Sequence, residues 1–207
     1  MARMGLEILF ATTNEHKIRE AEAILKDFGI MIKPIATEKI EIQHSSLEEI
    51  AKFAAIQAYV KVGKPVAVED SGLFIEKLNG FPGPYSNYVY KTIGLRGILK
   101  LLEDYKDLGS RKAVFVAVVA YALSEANVMI FKGVTEGYIS FNIRGSGGFG
   151  YDPIFIPYNS TKTFAEMSIE EKNLYSHRGK AFRSLGEWLI KNINLFKEIK
   201  EKAYKGF

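Results

Sequence analysis

Apolar and polar positions in the first part of the chain follow periods that predict alternating strands and helices. Residues 7–11 form a short apolar run typical of a buried strand, and residues 30–35 form a second one. Between them, residues 15–28 have the spacing of an amphipathic helix, and Gly29 is placed to end it. The apolar stripe of this helix consists of Ile18, Ala21, Leu25 and Phe28.

The middle of the chain predicts one more helix and then mostly strands. The helix covers residues 47–61, and the short apolar strand Val66–Val68 follows it, with Glu69 to Gly72 at its carboxyl end. Three consecutive antiparallel strands are predicted over residues 114–123, 128–134 and 137–143. A further strand is predicted over residues 154–156, and Ser168 to Glu171 has the spelling of a capping box ahead of a helix. The apolar face of a long C-terminal helix consists of Leu185, Leu189, Ile193 and Phe196.

This order of elements predicts an α/β fold with a mixed sheet, because strand–helix units come first and a meander of strands follows. No internal repeat or low-complexity linker interrupts the pattern. We therefore expect a single domain over residues 1–207, built as two lobes that share one core.

The composition, 47% hydrophobic and 25% charged, is that of an ordinary folded protein. The absence of cysteine excludes disulfides, thiolate nucleophiles and cysteine-ligated metal centres. The longest apolar stretch, residues 113–123, is shorter than the roughly 20 residues that span a membrane. Because the N-terminus also lacks the pattern of a signal peptide, we expect a cytoplasmic protein with no membrane partner.

The net charge of +4 favours an anionic partner, either a nucleic acid or a phosphorylated small molecule, although a lysine-rich helix surface explains it equally well. Lysines alternate with glutamates over residues 197–202, which is typical of a solvated helix. A nucleic-acid-binding protein would instead carry a basic stripe with interleaved aromatic residues. We therefore expect no nucleic-acid partner.

Four short segments carry residue types suited to phosphate chemistry. The first is Thr12-Thr13-Asn14, which follows a predicted strand and opens a helix, with Lys17 one turn later. Free N–H groups and the positive end of the helix dipole favour a phosphate there. An ordinary helix cap beside a surface lysine is the alternative.

The second segment pairs two acids, Glu69 and Asp70, ahead of Ser71. Adjacent carboxylates repel each other unless a cation lies between them, and they suit a Mg²⁺ ion that also holds substrate phosphates. Glu41 could supply another oxygen ligand. An acidic turn, and for Glu41 a solvated surface acid, are the alternatives.

The third segment, Gly145 to Gly150, has the spelling G-x-G-x-x-G, but no helix begins inside it, which excludes a dinucleotide-binding loop. What remains is a glycine loop that presents Phe149, Tyr151 and Asp152, and an aromatic ring on such a loop can stack on a nucleobase. Alternatively, the aromatic ring packs into the core beside a β-bulge.

The fourth segment contains Lys172, His177 and Arg178, with the last two at the predicted start of the final helix. Their side chains are donors to carbonyl and phosphate oxygens. A solvated basic turn is the alternative.

Taken together, the order and spelling of these segments resemble the inosine triphosphate pyrophosphatase family, also called the XTP/dITP diphosphatases. The resemblance extends from Phe10 to Arg178. The matching stretches are residues 10–17, 69–73, 78–86, 148–155, 164–167 and 171–178.

The resemblance implies an elongated, strongly twisted mixed sheet with helical lobes around a central nucleotide cleft, and a homodimer. It also implies Mg²⁺-dependent hydrolysis of ITP, dITP or XTP to the monophosphate and pyrophosphate. The residues implied to bind substrate are Thr12, Thr13, Asn14, Lys17, Ser71, Phe149, Gly150, Tyr151, Asp152, Lys172, His177 and Arg178. The residues implied to be catalytic are Asp70, Lys17 and Lys172, and the implied metal ligands are Asp70, Glu41 and Glu69.

Base selectivity follows from donor and acceptor chemistry. Hypoxanthine and xanthine carry an acceptor oxygen at position 6, where adenine carries a donor amino group. Donors from His177 and Arg178 would remain unpaired opposite adenine, at a cost of roughly 1–3 kcal/mol for each buried group.

A related pyrophosphatase for modified pyrimidine or methylated nucleotides is the alternative enzyme, and it would keep Lys17 and Asp70.

Overall fold

The computed structural model describes residues 6–37, 40 and 42–193. The strands are β1 (Leu6–Ala11), β2 (Ile30–Ile35), β3 (Val66–Ile75), β4 (Pro82–Gly83), β5 (Lys112–Ser124), β6 (Asn127–Ile139) and β7 (Phe155–Pro157). The helices are α1 (Glu15–Leu25), α2 (Leu47–Val62), α3 (Ser86–Thr92), α4 (Gly94–Leu101), α5 (Ile169–Tyr175) and α6 (His177–Lys191). Within these residues, no helix is both long and apolar enough to cross a membrane.

The seven strands form one mixed sheet in the order β2-β1-β3-β5-β6-β7, with β4 paired to β3. Strand β1 runs parallel to both β2 and β3, whereas β5, β6 and β7 continue antiparallel. The predicted α/β fold with a mixed sheet is confirmed.

Strand β3 joins two groups of core residues. Near its start, Ala67 packs with α1 and α6 on one face of the sheet, and Val66 and Val68 pack with α2 on the other. Near its end, Leu73 and Ile75 belong to a second core that includes α3, α4 and β7 residues. The segment between these cores is therefore held from both ends, because each end is anchored in tightly packed apolar side chains.

The predicted strand Val66–Val68 is too short. In the structure, β3 continues to Ile75 and pairs with β5 throughout, so Asp70 lies opposite Val118 in mid-strand rather than at a strand end. Gly72 makes the continuation possible, since a Cβ atom there would collide with the carbonyl oxygen of Gly83 on β4.

The two strands predicted over residues 128–134 and 137–143 are one strand, β6, which ends at Ile139. Gly133 and Gly137 lie inside this strand and are sites where other backbone segments approach closely. A Cβ atom on Gly133 would overlap the carbonyl oxygen of His177 at the start of α6. The absence of a side chain therefore lets the helix pack directly on the strand.

The helix predictions need two corrections. Sequence periodicity did not predict α3. The predicted capping box at Ser168 is only half formed: Ser168 accepts from the Glu171 N–H, but the Glu171 carboxylate pairs with Lys162. A reciprocal box instead joins Thr163 and Glu166.

Candidate active site

The start of α1 is capped by its own side chains. The Asn14 Oδ1 atom accepts hydrogen bonds from the N–H groups of His16 (3.0 Å) and Lys17 (3.2 Å), and Thr12 Oγ1 accepts from the Asn14 N–H. The amides of His16 and Lys17 are therefore satisfied within the chain, contrary to the expectation of free N–H groups. The Thr12 and Thr13 hydroxyls and the Asn14 amide nitrogen remain available to a phosphate.

Lys17 is held against β3 rather than extended into solvent. Its Nζ atom lies 2.7 Å from Glu69 Oε2 and 3.2 Å from the Glu69 carbonyl oxygen. The Glu69 carboxylate is buried and also accepts from Arg178. Glu69 was predicted to bind a metal, but its carboxylate is shared between two cations, so the structure does not present it as a metal ligand.

Arg178 is buried at the start of α6 and uses its guanidinium group to join three elements. Its Nε atom donates to Glu69 on β3 (3.0 Å), and its terminal nitrogens donate to Glu20 on α1 (2.7 Å) and to the Ser71 hydroxyl (3.0 Å). The exposed fraction of Arg178 is 2%. The predicted substrate residues Ser71 and Arg178 are thus in direct contact.

Lys172 on α5 is equally buried and lies between two carboxylates. Its Nζ atom is 2.6 Å from Glu20 Oε1 and 2.6 Å from Asp152 Oδ2. Glu20 therefore accepts from Lys172 with one oxygen and from Arg178 with the other. This carboxylate fixes the spacing of the two cations.

Three buried carboxylates compensate three cations in this network, which consists of Glu20, Glu69, Asp152, Lys17, Lys172 and Arg178. Burial by itself raises the pKa of Glu69, but Arg178 and Lys17 outweigh that effect and hold the pKa at about 2. Burial likewise opposes ionisation of Glu20, yet Arg178 and Lys172 leave its pKa lowered. At Asp152, burial outweighs the attraction of Lys172, so its pKa is raised.

Phe149 covers the cations of this network. Its ring centroid lies 5.1 Å from Lys172 Nζ and 5.2 Å from Arg178 Cζ, and the ring stacks on His16 at 5.0 Å. Gly150 gives the loop beside the ring a positive φ of 60°. The ring, the two cations and Asp152 form one continuous patch.

Tyr151 and Asp152 are buried and anchor the glycine loop through hydrogen bonds. The Asp152 carboxylate accepts from the Phe149 N–H (2.8 Å) as well as from Lys172. The Tyr151 hydroxyl donates to the Ser86 carbonyl oxygen (2.9 Å). Both side chains thus position the loop that carries Phe149.

His177 lies behind the site rather than on its surface. Its ring stacks on Phe115 with centroids 4.4 Å apart, and its exposed fraction is 2%. Burial, followed by the charges of Arg178 and Lys172, lowers the pKa of His177 well below its usual value, so the ring is neutral. The contact between its imidazole and a substrate base stays a prediction.

Asp70 and Ser71 line a cavity of about 760 Å³ whose other walls include α2, α3 and the loop before α2. Asp70 is half-buried and lines this space. No group of three His, Asp or Glu side chains suited to a metal occurs among the described residues. Mg²⁺ commonly uses only one or two carboxylates together with substrate phosphates, and Asp70 fits that requirement. Glu41, the other predicted ligand, lies outside the described residues.

The structure therefore brings the predicted residues into one region. Contacts lead from Phe149 to Arg178, from Arg178 to Ser71, and from Ser71 along the strand to Asp70 and the cavity. Sequence reasoning missed Glu20. The available signal was an acid directly beside the apolar stripe of α1, where a solvated side chain is the more common interpretation.

We predict that Glu69→Gln lowers the free energy of unfolding by about 3–5 kcal/mol, because it leaves Lys17 and Arg178 buried without their shared counter-charge. The matched control is Glu15→Gln, which removes an exposed pair with Arg19 and should cost less than about 1 kcal/mol. Urea unfolding of the three proteins at neutral pH measures both values.

The same comparison has an expected pH dependence. The pKa of Glu69 is about 2 in the folded protein and near 4.5 when unperturbed. The ionised Glu69 carboxylate therefore stabilises the fold fully above a pH of about 4.5, and this stabilisation is lost as the pH falls towards about 2. The gap between wild type and Glu69→Gln should narrow in that window, and a gap that stays constant would contradict the assignment.

The chain is similar to known proteins over most of its length. The model of the Ham1 family matches residues 8–188. A dITP/XTP pyrophosphatase of Hyperthermus butylicus is 55% identical over 182 residues, 88% of this chain and 94% of the relative. A dITP/XTP pyrophosphatase of Pyrococcus horikoshii is 51% identical over 188 residues, 91% of this chain and 99% of the relative.

Solved structures give the same result. The HAM1 protein of Coxiella burnetii superimposes with a TM-score of 0.79 at 35% identity, covering 90% of this chain and 99% of that one. The Ham1 protein of Staphylococcus aureus gives a TM-score of 0.74 at 32% identity, with 90% and 99% covered. The resemblance inferred from the sequence motifs is confirmed, and this chain belongs to the Ham1 family.

Proposed function

We propose that this protein hydrolyses non-canonical purine nucleoside triphosphates (ITP, dITP and XTP) to the monophosphate and pyrophosphate. The observation that carries the proposal is the continuity of one site along β3. The buried cations under Phe149 lie next to the cavity that Asp70 lines. Ser71 joins the two, because its hydroxyl accepts a hydrogen bond from Arg178 and the same residue lines the cavity. Relatives up to 55% identical that are named dITP/XTP pyrophosphatases support the same activity.

The nucleobase binds at the Phe149 end of the site. An aromatic ring supplies a stacking surface for a purine, and Lys172 and Arg178 lie within about 5.2 Å of its centroid. These cations can only donate hydrogen bonds. An acceptor oxygen at purine position 6 suits them, whereas the amino group of adenine would place donor against donor.

The triphosphate extends from this patch past α1 towards the cavity. The Thr12 and Thr13 hydroxyls and the Asn14 amide lie at the start of α1, where the helix dipole favours negative charge. Lys17 is already paired with Glu69, which holds its ammonium group at a fixed position. It therefore contributes a fixed positive charge along the path of the phosphates. Lys91 and His44 also line the cavity and can donate hydrogen bonds to phosphate oxygens there.

Asp70 is the residue that would hold Mg²⁺, together with substrate phosphate oxygens. Such an ion neutralises phosphate charge and polarises the phosphorus–oxygen bonds. Asp70 itself orients a water molecule for in-line attack on the α-phosphorus and accepts its proton. Little covalent chemistry is required of the protein in such a reaction, so positioning and charge compensation carry most of the catalysis.

We further propose that the protein acts as a homodimer on the cytoplasmic nucleotide pool, as the family resemblance implies. Sedimentation equilibrium measures the mass directly. A species of 23.3 kDa, the mass of one chain, over the concentration range used for assays would contradict the dimer.

We predict that the protein releases pyrophosphate from ITP, dITP and XTP at least about a hundredfold more efficiently than from ATP, since the amino group of adenine presents a donor where hypoxanthine and xanthine present an acceptor. The measurement is kcat/KM for each nucleotide with Mg²⁺ and with EDTA. Equal values for ITP and ATP would refute the substrate assignment, and full activity in EDTA would refute the metal. A preference for modified pyrimidine nucleotides would favour the alternative enzyme.

Asp70→Asn should reduce kcat for ITP by about a thousandfold or more, because it removes both the proton acceptor and the charge that holds the metal. The fold should persist, since Asp70 is half-buried beside the cavity and the two cores on either side are untouched. Asp104→Asn, on an exposed turn, is the matched control and should retain wild-type turnover. An active Asp70→Asn enzyme would exclude Asp70 from catalysis.

A further inference from the structure

Ser86 connects the loop that carries Phe149 with the strand that carries Asp70. The proposed reaction assigns no role to Ser86 itself. It is the first residue of α3 and is 7% exposed. Its hydroxyl accepts a hydrogen bond from the Leu73 N–H (2.8 Å) and donates one to the Gly83 carbonyl oxygen (2.7 Å). One side chain thus fixes the start of α3 to both β3 and β4.

The main-chain carbonyl of Ser86 makes a second connection, to the loop that carries the aromatic ring. The Tyr151 hydroxyl donates to it at 2.9 Å, and Tyr151 is 4% exposed. Tyr151 is adjacent to Asp152, which holds both the Phe149 N–H and Lys172. Movement of the base-binding loop therefore acts on Ser86 through a buried hydrogen bond.

Helix α3 forms part of the wall of the cavity that Asp70 and Ser71 also line. The Leu73 N–H held by Ser86 is only two residues beyond Ser71 on the same strand. Gly72, between them, packs so closely on Gly83 that a Cβ atom would collide with its carbonyl oxygen. Because the contact is so tight, a shift of Ser86 and the start of α3 would also move β3.

We propose that Ser86 and Tyr151 are positioning residues that couple the base-binding loop to the strand carrying Asp70. The inference rests on the proposed function and adds to it. When a purine seats on Phe149, the Tyr151–Ser86 hydrogen bond sets α3 and residues 70–71 in the geometry for hydrolysis. The pair therefore governs turnover more than nucleotide affinity, since neither residue supplies the stacking ring or the buried cations.

Tyr151→Phe tests the coupling with the smallest change, because it keeps the ring and its edge-to-face contact with Tyr90. We expect kcat to fall about threefold to tenfold, the effect of losing one buried neutral hydrogen bond. The KM for substrate and the inhibition constant for IMP should stay within about twofold of wild type. Tyr90→Phe, which removes the hydroxyl of the partly exposed neighbouring ring, is the matched control and should leave kcat unchanged.

Ser86→Ala and Ser86→Thr provide a second, independent pair. Ser86→Ala should lower kcat, and Ser86→Thr, which keeps a hydroxyl, should restore most of it, while thermal unfolding reports any loss of fold. In the double variant Tyr151→Phe/Ser86→Ala, the loss of kcat should be smaller than the product of the two single losses. The reason is that both substitutions interrupt the same chain of hydrogen bonds between the loop and β3.

All ratios of variant to wild type are measured on whichever of ITP, dITP, XTP, ATP or GTP the wild type hydrolyses best. A wild-type preference for ATP would overturn the proposed function and leave these ratios fully informative about the coupling. Wild-type kcat in Tyr151→Phe, an effect confined to KM and IMP affinity, or independent losses in the double variant would overturn the coupling.

Discussion

Compensation of buried charge is the constraint on which this site depends. Arg178 and Lys172 are 2% and 3% exposed, and cations so deeply buried are tolerated only when carboxylates and hydrogen bonds replace their water. Glu20 meets both of them, Glu69 meets Arg178 and Lys17, and Asp152 meets Lys172. Because these residues come from α1, β3, α5, α6 and the glycine loop, the same contacts that satisfy the charges also fix those elements to one another.

A preorganised site of this kind suits the recognition of a neutral base attached to a highly charged tail. The cations are already held at fixed positions, so little side-chain entropy remains to be lost when a nucleotide binds. Their charge is nevertheless balanced by carboxylates, which keeps the patch from binding every anion equally. Phe149 covers the patch and gives it an aromatic surface.

Strand β3 is the second organising element, because it lies in both cores and carries the residues between them. Its first residues are fixed by α1, α2 and α6, and its last residues by α3 and α4. Asp70 and Ser71 therefore occupy a rigid segment that borders a cavity. A rigid strand holds a side chain more accurately than a loop does, which suits the catalytic role that we propose for Asp70.

Local sequence patterns determined much of this protein. Hydrophobic periodicity predicted α1, α2, β1, β2 and β5, and the order of the motifs identified the family and brought Phe149, Lys172, Arg178 and Asp70 into one hypothesis. Periodicity could not predict the length of β3, the continuity of β6 through Gly133, or α3, because these depend on what packs against the backbone.

Only the tertiary structure decided which charges meet. Glu20 and Lys172 are 152 residues apart in the chain, yet their side chains lie 2.6 Å apart. No local pattern encodes such a pair, so the sequence analysis gave no role to Glu20 and assigned Glu69 to a metal. Helical and strand periods describe neighbours within one element, whereas the pairing of buried charges is settled by the packing of elements that are distant in sequence.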